Sequence, residues 1–472
     1  MAAEPSDLER ILDDLYPYRR TTTTYRSIPT QPADRADVLS TIADMAHRED
    51  AQGDAGRVSG SLYSGDHEHY RFLGEVFTQF AHANVLQRDM YPSATKFEAE
   101  IIAMASGMLH GDDLATPAVG VLTGGGSESL ITALYSYREQ ARESRGVRAP
   151  NIVIPVTAHV ALDKGAHWMG VEVRKAPLTD AFTVDVHALE ALIDDDTIAI
   201  VGSAGDYGHG LIDPIAELGE LALRRGIGLH VDGCLGGFLL PWAERLGYPV
   251  TAWDFRVPGV TTISADTHKY GYALKGTSVL LYRDRELRAR QWFSVTDWPG
   301  GLYLSPGFQG SRSGGLIAST WAAMVTMGEP GYLTRARAIL HTNDTIKQGI
   351  RDRIPQLQVI GDPLFMTSFC SDAVDVFLVN DALKERGWRM NSLHLPPALH
   401  FCITGPNTAP GIAEAFLDDL QAAVEHAVAH AGTPAASGAM YGFAGTSDGS
   451  AMLTAAMGGI LEAMHSVAPD SA

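Results

Sequence analysis

Cysteine is nearly missing: Cys234, Cys370 and Cys402 are the only three in 472 residues. An odd set with no CxxC pair excludes a disulfide framework and a thiolate metal site. Positive charge is scarce too. Lys and Arg number 36 against 56 Asp and Glu, a formal net charge of −20. So acidic a surface repels nucleic acid and anionic membrane, although a few local cations and helix N-termini can still hold a phosphate. No stretch reaches the roughly 18 unbroken apolar residues of a spanning helix. The first twenty residues, MAAEPSDLERILDDLYPYRR, place acids ahead of their basic pair and carry no apolar run of signal length. The expectation is a soluble, cytoplasmic protein without a membrane anchor.

What is present is a chain 45% hydrophobic and 19% charged, the balance of a compact protein, and long enough for two or three domains. Residues 1–60 mix Pro, Thr and acids and read as an extended arm with a short helix at 6–15. Apolar residues recur three and four apart in 68–84 and 95–109, which predicts helices. Beyond them short apolar runs alternate with helical stretches: NIVIPV (151–156), TIAIVGSA (197–204), IGLHVD (227–232), VTTISAD (260–266) and TSVLLYR (277–283). That alternation is the mark of an α/β fold with a mostly parallel sheet covered by helices on both faces. From about Glu329 the pattern changes. DVFLV (375–379) and LHFCIT (399–404) read as strands, with helices at 380–387 and 411–431, an irregular Gly/Ser/Ala-rich stretch at 432–450 and a last helix at 450–466. The division expected is an arm and helical segment at 1–94, a large domain at 95–328 and a smaller α+β domain at 329–472.

Four segments carry chemistry. In ADTHKYGYALKG, Lys269 follows a central strand between His268 and Tyr270. A lysine there, partly desolvated so that its amine loses a proton near neutral pH, suits Schiff-base formation, although most lysines are simply solvated. In IGLHVDGCLGGF, Asp232 ends a buried apolar strand. A lone carboxylate there is costly, so it caps a helix, binds a metal or faces a cationic ring nitrogen. In VGVLTGGGSESL, a strand enters Gly124, Gly125 and Gly126, then Ser127, and a helix opens at once. Its free amides and dipole favour an anion, without matching the dinucleotide fingerprint or the P-loop. In TAHVALDK, His159 follows a strand closely enough to stack on an aromatic ligand at the sheet edge, or else it caps a helix. One ligand answers all four: pyridoxal 5′-phosphate (PLP), with its phosphate, ring face, ring nitrogen and aldehyde each given a partner. No metal is expected.

The sequence closely resembles the sphingosine-1-phosphate lyase family, within the group II PLP-dependent decarboxylase superfamily of fold type I. The segments that carry the resemblance are VSGSLYSGD (58–66), TGGGSES (123–129), GHGLIDP (208–214), VDGCLGGF (231–238), DFRVPGVTTISADTHKYGYALKGTSVLLY (254–282), TDWPGGLY (296–303), GSRSGG (310–315) and LPPALHFCIT (395–404). The resemblance implies a seven-stranded-type central sheet. It likens Lys269 to the Schiff-base lysine, Asp232 to the pyridinium partner and His159 to the stacking histidine. It likens Gly125, Gly126 and Ser127 to the phosphate loop, and His268, Gly310 and Ser311 to the rest of the phosphate pocket. The last two are expected from a partner subunit, which makes the enzyme a homodimer with shared active sites. Tyr63, Tyr207 and Lys275 match positions near the substrate, Lys275 as a ligand of its phosphate.

There are departures. The family's Asn-Pro-Leu-His reads Asn84-Val85-Leu86-Gln87 here, and Gln87 lacks the charge assistance a histidine gives a substrate phosphate. Ser127 replaces a threonine, and Ser313 a proline of the Gly-Ser-Arg-Pro-Gly-Gly loop. The membrane anchor of the eukaryotic members is expected to have no counterpart here. The activity implied is retro-aldol cleavage of a β-hydroxy amine to an aldehyde and an amine, with Lys269, Tyr207 and Tyr63 as candidate acids and bases. The alternatives are amino-acid decarboxylation, kept open by Gln87, and a non-catalytic homologue, which intact Lys269 and Asp232 disfavour.

Overall fold

The computed structural model describes residues 16–437 and 447–467. Its main layer is a seven-stranded sheet made of β1 (Val119–Thr123), β2 (Asn151–Pro155), β3 (Glu172–Ala176), β4 (Thr197–Ser203), β5 (Gly228–Asp232), β6 (Thr262–Ala265) and β7 (Ser278–Tyr282). They lie in the order β1-β7-β6-β5-β4-β2-β3, with β7 antiparallel to both its neighbours and the others parallel. All of β2, β4, β5, β6 and β7 is buried, which is why these strands read as unbroken apolar runs without alternation. β3 escapes such a reading because it is the polar edge strand EVRKA.

Because β1, β2, β4, β5 and β6 run the same way, the turns leaving their C-terminal ends gather along one sheet edge. The turn after β1 is short and leads straight into a 19-residue helix. Open α/β sheets bind ligands at this edge.

Two further elements come from the N-terminal side. The helix Arg35–Asp54 (α1) replaces the extended arm expected at 1–60. Asp34 caps it by accepting from the Ala36 N–H at 2.7 Å. None of its residues is buried, so it has no apolar stripe for periodicity to reveal. His67–Gln79 (α2) and Pro92–Met108 (α3) form as expected. The expected helix at 6–15 lies outside the described residues.

The chain after β3 is crossed by Val186–Ala191 and Ile215–Arg225, and after β7 by an exposed two-stranded ribbon, β8 (Phe293–Trp298) with β9 (Gly301–Ser305). Next comes the helix Gly314–Arg353, broken at Gly328, whose φ of 55° and ψ of 175° are not helical, with Pro330 two residues on. A second sheet, ordered β10-β11-β13-β12 and wholly antiparallel, comprises β10 (Gln358–Val359), β11 (Met366–Cys370), β12 (Asn391–His394) and β13 (Pro397–Cys402).

One expectation is corrected here. Residues 375–379 are not a strand: Asp375 caps the helix Val376–Glu385, accepting from the Phe377 N–H at 2.8 Å. Val376, Phe377, Leu378 and Val379 are all buried, so this opening turn shows the continuous apolar run of a buried strand. The helix Ile412–Ala429 matches the one expected at 411–431. Of the stretch expected to be irregular, 438–446 lie outside the described residues, and the last helix, Ser447–Met464, opens three residues earlier than expected.

Candidate active site

A cavity of about 510 Å³ opens at the C-terminal edge of the large sheet. Gly125, Gly126, Ser127, His159, His268 and Lys269 all line it, together with Cys234, Asp266, Glu128 and Gln309. Six residues singled out from the sequence are therefore brought to one place from the ends of β1, β2 and β6.

The anion-binding corner is built by backbone. Gly125 has φ 147°, outside the range of ordinary side chains, and a Cβ on it would also meet His268 Cε1 at 3.5 Å. A Cβ on Gly126 would lie 2.7 Å from both Asp266 carboxylate oxygens and 2.8 Å from Cys234 Sγ. Both positions thus require glycine, and the helix Gly126–Ser144 starts there with its amides free for an anion. Gly124 N–H donates to Glu128 Oε2 at 2.8 Å, and Gln309 Nε2 donates to the same oxygen at 2.5 Å.

Lys269 does not stand as an isolated amine. Its Nζ lies 2.9 Å from Asp266 Oδ2, and Asp266 is buried. Burial by itself would lower the lysine pKa, but the Asp266 charge and hydrogen bond, with Cys234 and Tyr63 adding to them, raise it overall. The expectation that burial frees the amine of its proton is therefore corrected. In the protein without its cofactor the ammonium is held by a carboxylate that the motif reading overlooked. That carboxylate is visible in the sequence as the acid three residues before Lys269, but the turn between them must close before the two meet. The other Asp266 oxygen, Oδ1, is buried without any hydrogen-bond partner in the protein.

Asp232 pairs in register with Ser264 across β5 and β6, and Cys234, two residues on, lines the cavity. Burial alone would favour the neutral acid. The Cys234 N–H, which donates at 3.0 Å, and the neighbouring His230 outweigh it and hold the carboxyl below its usual range. His159 also contributes to the field at Asp232. An ionised carboxylate thus waits beside the cavity. Burial lowers the His268 pKa, and its Nδ1 accepts from the Thr277 N–H at 3.3 Å, while Nε2 lies 3.7 Å from Asp266 Oδ2 at the cavity wall.

Tyr63 is buried and packs edge-on against Tyr270 at 5.0 Å, with Lys275 Nζ 4.7 Å over its ring. Burial pushes the Tyr63 phenol far up, so it keeps its proton. Partial burial and then the Lys269 charge lower the Lys275 pKa. Tyr207, 52% exposed, meets the His159 ring at 6.3 Å. Gln87, Gly310 and Ser311 do not line the cavity of their own chain. They form a separate group in which Asn84 Nδ2 donates to Ser311 Oγ at 3.0 Å, and Arg312 is fastened to buried Glu98 by bonds of 2.9 and 3.0 Å.

The residues present fit PLP. An orphaned buried acid oxygen, two glycines whose missing side chains make room, an ionised Asp232 and a cavity of small-molecule size are the features such a cofactor requires. Fold and site together define a PLP-dependent enzyme of the decarboxylase type, fold type I. The family model described as the pyridoxal-dependent decarboxylase conserved domain matches residues 27–297. The chain is 43% identical over 397 residues to the sphingosine-1-phosphate lyase of Oryza sativa subsp. japonica, covering 83% of this chain and 73% of that one. It is 36% identical over 420 residues to that of Saccharomyces cerevisiae, covering 88% and 71%. The solved sphingosine-1-phosphate lyase of Burkholderia pseudomallei superposes with a TM-score of 0.86 at 48% identity, covering 88% of this chain and 96% of that chain. The chain belongs to the sphingosine-1-phosphate lyase family, and is a PLP-dependent carbon–carbon lyase. The solved glutamate decarboxylase of Lactobacillus brevis, at 20% identity and a TM-score of 0.72 over 88% of this chain and 98% of that chain, shares the fold alone. The decarboxylase alternative is thereby displaced. Among the described residues there is no cluster fit for a metal ion and no helix long and apolar enough to cross a membrane.

Proposed function

We propose that this enzyme cleaves the Cα–Cβ bond of a phosphorylated, long-chain β-hydroxy amine of the sphingoid type, releasing an aldehyde and a phosphorylated amine. One observation carries the reading: Lys269, His159 and the Gly125–Gly126–Ser127 helix start share one cavity. Bound PLP supplies a π system that accepts the electron pair of the breaking bond.

The protein's own groups do the rest. Lys269 is the amine that would hold the cofactor aldehyde, Asp232 would accept from the ring nitrogen, His159 would lie against the ring, and Gly125, Gly126, Ser127 and His268 would hold the phosphate. Tyr63, kept protonated by burial, suits donating a proton to the reacting carbon, whereas the proton that leaves the hydroxyl needs a base, the role left to Tyr207 in the turn after β4 or to the Lys269 amine. Lys275 holds the substrate phosphate, with Gln87 as a neutral donor in place of a histidine.

We read the active enzyme as a homodimer in which Gly310, Ser311 and Gln87 complete the neighbour's pocket. The exposed ribbon supports this: Leu302 is 81% and Leu304 73% exposed, beside Phe293, Trp298 and Phe308. On this reading residues 95–328 form the cofactor-binding domain, whose residues line the cavity, and 329–472 the smaller domain. Three unpaired cysteines accord with the reducing cytoplasm.

Incubating the PLP-loaded enzyme with phosphorylated and unphosphorylated sphingoid bases, and separately with amino acids, tests the reading. Aldehyde from the phosphorylated base alone is the expected result. Released CO₂ without aldehyde would overturn it.

A further inference from the structure

Tyr207 meets two imidazoles at steep angles: His159 at 6.3 Å and 88°, and His400 at 5.2 Å and 74°. His159 follows β2 of the large sheet, whereas His400 lies in β13 of the small one. His400 is 1% exposed, and chemistry fixes its proton. The Gly208 carbonyl, 3.0 Å from Nδ1, only accepts, so Nδ1 carries the hydrogen. Nε2 then accepts from Asn391 Nδ2 at 2.9 Å. Burial pushes the His400 pKa down to about 4, so this pattern is constant near neutral pH.

The same cluster reaches Tyr63. Asn391 Nδ2 also donates to Ser59 Oγ at 3.1 Å, and Ser59 Oγ accepts from the Cys402 N–H at 2.9 Å. The Gly60 N–H donates to the Cys402 carbonyl at 3.0 Å, and the Gly405 N–H to the Tyr63 carbonyl at 2.9 Å. Both tyrosines are therefore fastened to one strand, β13 and the residues that leave it.

We propose that His400 is a positioning residue that anchors the Tyr207 turn to the small sheet and, through Asn391 and Ser59, sets Tyr207 relative to Tyr63. The proposal rests on the assignment of these two tyrosines to proton transfer. The turn itself does not need His400 to form. Asp206 accepts from the Gly208 and His209 N–H groups at 2.8 Å each and from Leu211 N–H at 3.0 Å. Without His400 the turn keeps its shape but is held less closely to the small sheet, through Ser368 Oγ, which donates to the same Gly208 carbonyl at 2.8 Å.

His400→Asn places an amide N–H where Nδ1 stands, whereas His400→Gln extends toward Asn391 and abandons Gly208. In the PLP-loaded enzyme, His400→Gln and His400→Ala are expected to lose roughly 10- to 100-fold in kcat, the scale of a small misplacement, with KM and PLP affinity unchanged. His400→Asn recovers most of the loss. Independently of turnover, 3-fluorotyrosine at position 207 reports its surroundings by ¹⁹F NMR. Its resonance moves in the Gln and Ala variants and stays at the wild-type position in Asn. Equal kcat in the Asn and Gln variants, or an unmoved resonance in both, overturns the brace. If Ala fails to fold, the Asn–Gln pair decides alone. Should wild-type enzyme release no aldehyde, the substrate reading fails and the fluorine comparison still decides the positioning role.

Discussion

Half-buried Lys269 and buried Asp266, oppositely charged and 2.9 Å apart, govern how the protein takes up its cofactor. Only an unprotonated amine attacks an aldehyde, and Asp266 favours the ammonium. The sign follows directly. A raised lysine pKa means that the reactive amine fraction grows with pH and is small at neutrality. Removing the negative charge in Asp266→Asn lowers that pKa, so cofactor capture speeds up at neutral pH. A carboxylate beside an ammonium is worth about 1–3 pH units, and since the amine titrates above pH 9, the capture rate at any pH from 6 to 9 should rise by about 10- to 1,000-fold. Stopped-flow growth of the visible absorption of bound PLP, recorded from pH 6 to 9 on the cofactor-free protein, is the measurement. A rate unchanged across that range would show that Asp266 does not control the amine. At this scale the sequence disclosed the groups that motifs announce: Lys269 in its THKY context, the glycine turn, His159 after its strand. It hid Asp266 and His400, because a partner in a closed turn or on another sheet leaves no spacing signal in one chain.

Elements position these groups through a few buried polar joints, and Glu98 is the clearest. It stands on α3, is 5% exposed, and joins three pieces: Arg312 before the long helix, Arg88 in the 84–91 turn, and the Leu122 N–H of β1 at 3.1 Å. Burial alone would raise its pKa, but the Arg312 hydrogen bond and charge, then Arg88, hold it below the usual range. Glu98→Ala leaves Arg312 half-buried without its anion, a loss of about 3–5 kcal/mol in unfolding free energy. Urea denaturation checks it, and a loss under about 1 kcal/mol would mean that Arg312 finds another partner. Glu98→Gln should recover part of the loss by keeping a hydrogen bond. Joints of this kind were not legible in the sequence, whereas the buried strands of the large sheet were, since full burial writes itself as an apolar run. The same rule misled at 375–379, where Asp375 opens a helix whose first turn is buried all round. It was silent at Arg35–Asp54, a helix with no buried face.

For the molecule as a whole, a charge of −20 opposes self-association, and an apolar surface must offset that repulsion for two copies to meet. The β8–β9 ribbon offers such a surface, with Leu302 and Leu304 almost wholly in solvent in the single chain. It leads directly into Gly310 and Ser311, which miss the cavity of their own chain although Gln309 reaches it. In the proposed homodimer, interface and pocket completion belong to one continuous stretch, and a change in the first should be felt in the second. Light scattering on the eluting protein is expected to give twice the 50.6 kDa of the chain. Leu302→Glu combined with Leu304→Glu places two carboxylates on each ribbon and should yield a single-chain mass without unfolding, since neither side chain belongs to the core. Added salt screens the long-range charge and tightens wild-type association, whereas the double variant stays apart. Its PLP affinity, measured by fluorescence quenching, falls with the dimer if a neighbour supplies Gly310 and Ser311. A variant that dissociates yet binds PLP as tightly as wild type would mean that each chain completes its own pocket. A wild-type protein eluting as one chain would remove the shared site altogether.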